Sequence, residues 1–452
     1  MLKIEIPDGF EAERVYIIEL MLDEFLGLDT ELTVKPGISA TLIHLENSNV
    51  LEINDAFFKE VFERDENYLD IKNIPTEVVY CDLDEAPEGG LLGIYGQPKI
   101  AVDQKKIYCG IDVFASAFFM LTRWEEYVHQ DRDMHGRFPA ESSLACRQGF
   151  LSRPIVNEYV EVIWQWLEKL DIRQKRKQRP FEIVNTHDID RLRLFQRASD
   201  YIGKPVKAFL IEKKLSALAH HSKLALQALA GKDPYFIFDY FMDISERHNI
   251  KSHFFFMAGG KTIYDGGYDV GARAVRDVIK RIAYRGHVIG IHPSYDSLNS
   301  PEMLSIEIRR LQELTGADIV CGRQHYLRFN VPDTWQHWDD NNMQWDSSLT
   351  YWDQPGFRCG TCYSYSVFNI LSKKKLTLKE KPLTIMDATL AVAQNHLPQQ
   401  AGATINYYLD KIKKYSGEFV FLWHNSSFEY LVWKDYRQVF EHTLKRAQAL
   451  AE

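Results

Sequence analysis

Four short stretches of this chain carry side chains able to do chemistry. They are Thr186-His187-Asp188-Ile189-Asp190, His292-Pro293-Ser294-Tyr295-Asp296, Arg323-Gln324-His325-Tyr326 and Leu422-Trp423-His424. Asp188 and Asp190 are two residues apart, so an extended backbone puts both carboxylates on one side. Two like charges that close repel unless a cation or a shared proton relieves them. His292 and Asp296 are four apart, which one helical or turn-like step would bring to a common face. A carboxylate, an imidazole and a second carboxylate would make a three-ligand catalytic metal site with an open position for water. Taken singly, Asp-x-Asp reads as a turn or cap and His292 as a structural histidine. Their conjunction favours a metal.

Each stretch follows a short apolar run, with candidate strands at 181–185, 252–257, 287–291, 318–322 and 418–423. These runs alternate with helical patterns, as in a sheet or barrel built from βα units. Ionisable groups just past the C-terminal ends of several strands match the active-site face of such a barrel. The expected fold is α/β, a distorted (β/α) barrel over 181–452 with a smaller N-terminal α/β domain over 1–172. In the N-terminal part, helices are expected at 11–25, 114–127 and 155–170, and strands at 30–34, 41–45 and 77–80. The run 173–180, Arg173-Gln174-Lys175-Arg176-Lys177-Gln178-Arg179-Pro180, reads as a solvated basic linker. A basic helical insertion spans about 197–232. Within it Lys204, Lys207, Lys213, Lys214, Lys223 and Lys232 interleave with leucines, and Glu212 is the one acid between Lys204 and Lys232. Its ordinary reading is a helix packed on the barrel; the sharper one is contact with anionic lipid or a phosphorylated glycan carrier.

The chain has 452 residues, 45% hydrophobic and 26% charged, which excludes a mainly disordered or coiled-coil protein. Its formal net charge of -9 argues against a general nucleic-acid binder. The apolar runs are too short for a transmembrane segment. Without a basic-then-apolar leader, the expected location is cytoplasmic, peripheral to the inner membrane if the insertion meets lipid. Six scattered cysteines form no disulfide framework, and the lone pair Cys359-Gly360-Thr361-Cys362 reads as coincidence.

The four motifs resemble, in order, those of the polysaccharide deacetylases (NodB-like, carbohydrate esterase family 4). Gly286-His287-Val288-Ile289-Gly290 is similar to the usual lead-in of the second motif. The stretch from Phe118 to Tyr127 resembles a bacterial subgroup found in surface-glycan biosynthesis. The resemblance implies a barrel fold and removal of an N-acyl, chiefly acetyl, group from an amino sugar or glycan. It implies Asp188 as general base, oriented by Arg323, and His424 as general acid. Asp190, His292 and Asp296 would be metal ligands, and the Tyr326 backbone N–H would help hold the oxyanion. One divalent ion is implied, zinc first. Two carboxylates with one imidazole form a harder site, so manganese, cobalt or nickel would also serve.

The sequence departs from the family pattern at His187, Asp296 and His325, and in spacing its aspartates as Asp188-x-Asp190. His187 and His325 are therefore candidate substrate contacts, joined by Asp346, Arg358 and Trp423. A salt bridge is an equal reading for Asp346 and Arg358, and a buried aromatic is the commoner role for Trp423 and Trp352. Rival functions are a glycan-binding protein that kept the fold and lost turnover, or an amide hydrolase such as a deformylase acting on a lipid-linked sugar.

Overall fold

The computed structural model describes residues 1–84, 86–428 and 431–452. Its larger sheet has nine strands. Their order is Tyr365–Asn369, Lys374–Glu380, Trp345–Asp346, Cys321–Gly322, Val288–Ile291, Ser252–Phe256, Glu182–Ile189, Glu418–Leu422 and Ile385–Met386. All neighbours pair in parallel except the first two. Parallel strands must return through crossover connections. Helices Phe238–Arg247, Arg273–Tyr284, Pro301–Thr315 and Pro398–Lys414 supply several of them. The register then decides the site. Ile189, Phe256, Ile291 and Gly322 form one row across four strands. The residues that follow, Asp190, His292 and Arg323, therefore leave the sheet at one edge.

The ladders do not close into a barrel. Tyr365–Asn369 and Ile385–Met386 end the sheet and are not paired with each other. The segment joining the two sides changes neighbour part-way. Lys381 N–H donates to the Asp346 carbonyl (2.8 Å), and Thr384 N–H donates to the Val420 carbonyl (3.1 Å). Pro382 lies between them and has no N–H to give. The expected distorted (β/α) barrel is thus realised as an open mixed α/β sheet.

Residues before 173 build a six-stranded sheet in the order Thr30–Val34, Leu2–Ile6, Ala40–His44, Val50–Asn54, Lys106–Ile111 and Gly96–Val102. The helix expected over 11–25 is α-helical from Glu11–Glu19 and continues as a π-helical turn, Leu20–Phe25. This region shares one apolar core with the larger sheet. Tyr16 stacks on Phe368 (4.7 Å between centroids) and donates its hydroxyl to the Ser366 carbonyl, while the Tyr365 hydroxyl donates to the Leu121 carbonyl.

The basic run after residue 172 is largely exposed, and two of its arginines tie it to the body of the protein. Both terminal nitrogens of Arg176 pair with Glu161 at 2.7 Å, and Arg179 donates to the Glu24 and Phe25 carbonyls while lying over Tyr363. The insertion forms two helices, Asp200–Glu212 and Leu215–Leu229. The second packs Leu224, Ala225 and Ala228 on Leu194 and Phe195, a small core separate from the main one.

Candidate metal centre and active site

Three ligand atoms converge where the strands end. His325 Nδ1 lies 2.9 Å from His292 Nε2, which lies 3.2 Å from Asp190 Oδ1; the third edge, His325 Nδ1 to Asp190 Oδ1, is 3.6 Å. The remaining nitrogens fix the tautomers. His292 Nδ1 faces the Arg323 carbonyl at 2.7 Å and His325 Nε2 faces the Tyr264 carbonyl at 3.0 Å, so each must carry the hydrogen there. In the neutral rings, two nitrogen lone pairs and a carboxylate oxygen then point at one another. Asp190 Oδ1 is buried and accepts no hydrogen bond in this arrangement. Only positive charge between the three atoms relieves the repulsion. The triangle is close to the face of a tetrahedron around a cation with ligands at about 2.1 Å, whose edges are about 3.4 Å. The donor set therefore fits a divalent metal. His292 is pushed upward in pKa: burial opposes its charge, but Asp188 and Asp190 overcome that. Burial likewise works against ionised Asp190, and His292, His325 and His424 together hold it well below the usual carboxylate range.

Asp188 and His424 flank this triangle. Arg323 Nη1 donates to Asp188 Oδ1 (2.9 Å) and to Thr186 Oγ1 (3.0 Å), while its Nε donates to the Ser347 carbonyl (2.7 Å). Arg323 is thereby fixed at every branch and in turn fixes Asp188. His424 comes from the end of Glu418–Leu422. Its Nδ1 pairs with Asp387 Oδ1 at 2.8 Å, its backbone N–H donates to Asp387 Oδ2, and its Nε2 lies 3.8 Å from Asp190 Oδ2. Burial would discharge the imidazole, but Asp387, with Asp190 and Asp188, pushes its pKa up to about 10. These carboxylates thus favour the charged, proton-donating form of His424.

Asp188, Asp190, His292, His325, Tyr326 and His424 all line one cavity of about 260 Å³, with Arg137 and Trp352 at its rim. Tyr326 adopts a left-handed backbone (φ 60°), sparsely populated by side chains of its size and found where a loop is held for function. Rings of His135, Tyr264 and Tyr295 surround it. Arg137 lies over Trp352 (5.2 Å), so the N-terminal region contributes directly to the mouth. Gly266 is required by close approach, since a Cβ there would sit 1.5 Å from the Asp190 carbonyl oxygen.

Several expectations need correction. Asp296 is exposed and lies outside the ligand triangle. After His292 the chain is turned by Ser294 bonding to Glu307 and by Tyr295 N–H donating to Asp265, and the turn Tyr295–Asn299 carries Asp296 away. His325, expected as a substrate contact, takes its place, giving one carboxylate and two imidazoles. His187 is buried against Phe241, held neutral by burial, with Nδ1 on the Trp423 carbonyl. Trp423 is buried among Phe428, Tyr436 and Phe440 and offers no platform to a sugar. Asp346 lies beneath the site, where it accepts from Ser348, which in turn accepts from the Gln324 N–H. Arg358 pairs with Glu126. Cys359 and Cys362 are buried and unpaired, and burial pushes the Cys359 thiol up to about 12. Asp387 was not anticipated, although Ile385–Met386 delivers it at a strand end just as the other strands deliver theirs.

Residues 2–172 match a family of unknown function (DUF7033). A search of curated proteins gave no match. Among solved structures, a protein named as a polysaccharide deacetylase from Mycobacterium smegmatis is similar at 15% identity and TM-score 0.40, covering 60% of this chain and 85% of its own. A chitin deacetylase from the fungal pathogen Colletotrichum lindemuthianum is similar at 13% identity and TM-score 0.30, with coverages of 60% and 84%. A CE4 family pseudoenzyme from Bacillus anthracis is similar at 10% identity and TM-score 0.29, with coverages of 60% and 61%.

Proposed function

We propose that this chain is a metal-dependent hydrolase that removes an N-acyl, chiefly acetyl, group from an amino sugar destined for a surface polysaccharide. The observation that carries this reading is the cluster of three unrelieved ligand atoms flanked by an arginine-held carboxylate and an aspartate-held imidazolium. Asp190, His292 and His325 would hold the ion. One carboxylate with two imidazoles suits zinc, and manganese, cobalt and nickel remain compatible. When bound, a divalent ion supplies Lewis acidity that polarises an amide carbonyl and acidifies water.

The chain's own groups do the proton work. Asp188, held in place by Arg323, accepts a proton from the attacking water. His424, in its charged form, donates from Nε2 to the departing nitrogen, which is a poor leaving group as an anion. Asp387 fixes the orientation of the His424 ring, so that Nδ1 is engaged and Nε2 is left to donate. The backbone N–H of Tyr326 would help hold the oxyanion.

The test is acetate release from chitooligosaccharides and UDP-linked N-acetyl amino sugars. The full chain is stripped with chelator and reloaded with zinc, manganese, cobalt or nickel, with Asp188→Asn as the inactive control. Release that depends on metal and on Asp188 supports the reading. Sugar binding without release under every metal would replace it with a glycan-binding function.

A further inference from the structure

The most unusual surface of this molecule is the helical hairpin formed by Asp200–Glu212 and Leu215–Leu229. Among the described residues, 24 large hydrophobic side chains are exposed, and seven of them fall within residues 202–229. Ile202 (75% exposed), Val206 and Leu210 (65%) recur every four residues and form one stripe of the first helix. Leu215 (73%), Leu226 (68%) and Leu229 continue the exposure along the second. Such a concentration is not scattered surface apolarity, and it asks for an occupant.

Charge identifies the occupant. Residues 200–232 carry six lysines against two acids, in a chain whose formal net charge is -9. Lysines beside an exposed apolar stripe suit an anionic lipid surface, where stems lie among acyl chains and ammonium groups reach headgroups. The hairpin cannot span a bilayer. Its helices have 13 and 15 residues, about 20 and 22 Å at 1.5 Å per residue, against about 30 Å of hydrocarbon. No helix among the described residues is long and apolar enough to cross a membrane. It is instead built to lie in the interface.

A second feature connects this surface to the site. A cleft of about 700 Å³ begins at the hairpin and adjoins the catalytic cavity, sharing Arg191 and Gly266 with it. Arg191, Arg197, Lys204 and Lys261 line the cleft and have no ion-pair partner among the described residues, whereas Arg310 is paired with Asp269. Asp200 and Asp265, also in its wall, are occupied by backbone N–H groups. With five cations against Asp200, Asp265 and Asp269, the lining is net positive, as a phosphate beside the reacting sugar would require.

We propose that the hairpin seats the protein on an anionic bilayer, so that the substrate is an amino sugar held at the membrane through a lipid phosphate lying in the basic cleft. Seating on the bilayer stands on the hairpin alone; the substrate assignment rests on the hydrolase reading above.

The experiment is flotation of the full chain with vesicles of phosphatidylcholine alone and of phosphatidylcholine with phosphatidylglycerol. The wild type is expected to float with the anionic vesicles and to release from them as salt rises. The pair Ile202→Glu and Leu210→Glu together should lower the bound fraction about tenfold or more. Lys207→Gln, Lys213→Gln and Lys214→Gln together should weaken binding to the anionic vesicles alone. These positions are exposed, so unchanged circular dichroism and unchanged hydrolysis of a soluble substrate are expected of every variant. Equal binding to both vesicle types, or no effect of the apolar pair, would overturn the proposal. So would a dimer in light scattering that the apolar pair converts to monomer without any vesicle binding. A chain that floats but hydrolyses nothing would sink the hydrolase reading and leave the docking intact.

Discussion

Around Glu126, where residues 1–172 meet the larger sheet, the protein's own donors answer a buried charge. Glu126 receives Nε and Nη2 of Arg358 at 2.9 and 2.6 Å, and Nε of Arg123 at 2.8 Å. Arg358 also donates to the Thr350 carbonyl, and Arg123 to Glu125 and to the Tyr351 hydroxyl. In the cavity of the candidate metal centre the groups are equally crowded, yet Asp190, His292 and His325 turn acceptors toward one another. The first cluster is finished by folding. The second is completed only by a cation. Burial of charge is thus no sign of function by itself; the sign is a cluster that the protein's own donors leave incomplete.

The largest effects should separate the two clusters cleanly. His292→Ala and Asp190→Ala should abolish stoichiometric divalent metal, read by elemental analysis, and reduce hydrolysis to background with little change in melting temperature. Asp188→Asn should retain the metal and lose about 10²–10⁴ in kcat, because a positioned base is removed while the ligands stay. Arg358→Ala at the seam should behave in the opposite way. It leaves Glu126 buried with half its partners, costing about 3–5 kcal/mol of stability by denaturant unfolding, while metal content per folded molecule is unchanged.

Two smaller effects concern pH. Burial opposes the charge on Glu126, but Arg358 and Arg123 bring its pKa down to about 2 from an ordinary 4.5. Its contribution to stability is therefore full above about 4.5 and is lost as pH falls toward 2. Glu126→Gln should flatten that acid limb of the stability curve. Asp387→Asn should lower the His424 pKa from about 10 toward the ordinary 6.5. The alkaline limb of kcat/KM should then move down toward neutrality, which a pH–rate profile measures.

The motifs and their strands were legible because a buried parallel strand reads as a short apolar run, and the residues after it are delivered to one edge. The same rule, applied to Ile385–Met386, would have found Asp387; that run was too short to draw notice. Asp296 was misplaced for a different reason. A four-residue spacing brings two groups together only if the turn is regular, and here Glu307 and Asp265, both distant in sequence or in loops, bend it. His325 replaced it because the chain after Cys321–Gly322 curls back toward His292. The roles of His187, Trp423, Asp346 and Arg358 depended on which way each side chain was buried, and residue type does not carry that.

By itself the amino-acid sequence determined the inventory: strands of known direction, carboxylates and imidazoles at their ends, and a lysine-rich amphipathic insertion. These follow from local periodicity, which acts over a few residues. Tertiary structure alone decided which three atoms share an edge of 2.9–3.6 Å, which arginines are spent at the seam, and which leucines remain in contact with water. Those outcomes depend on register between strands and on turns braced by remote side chains, interactions that no local pattern encodes.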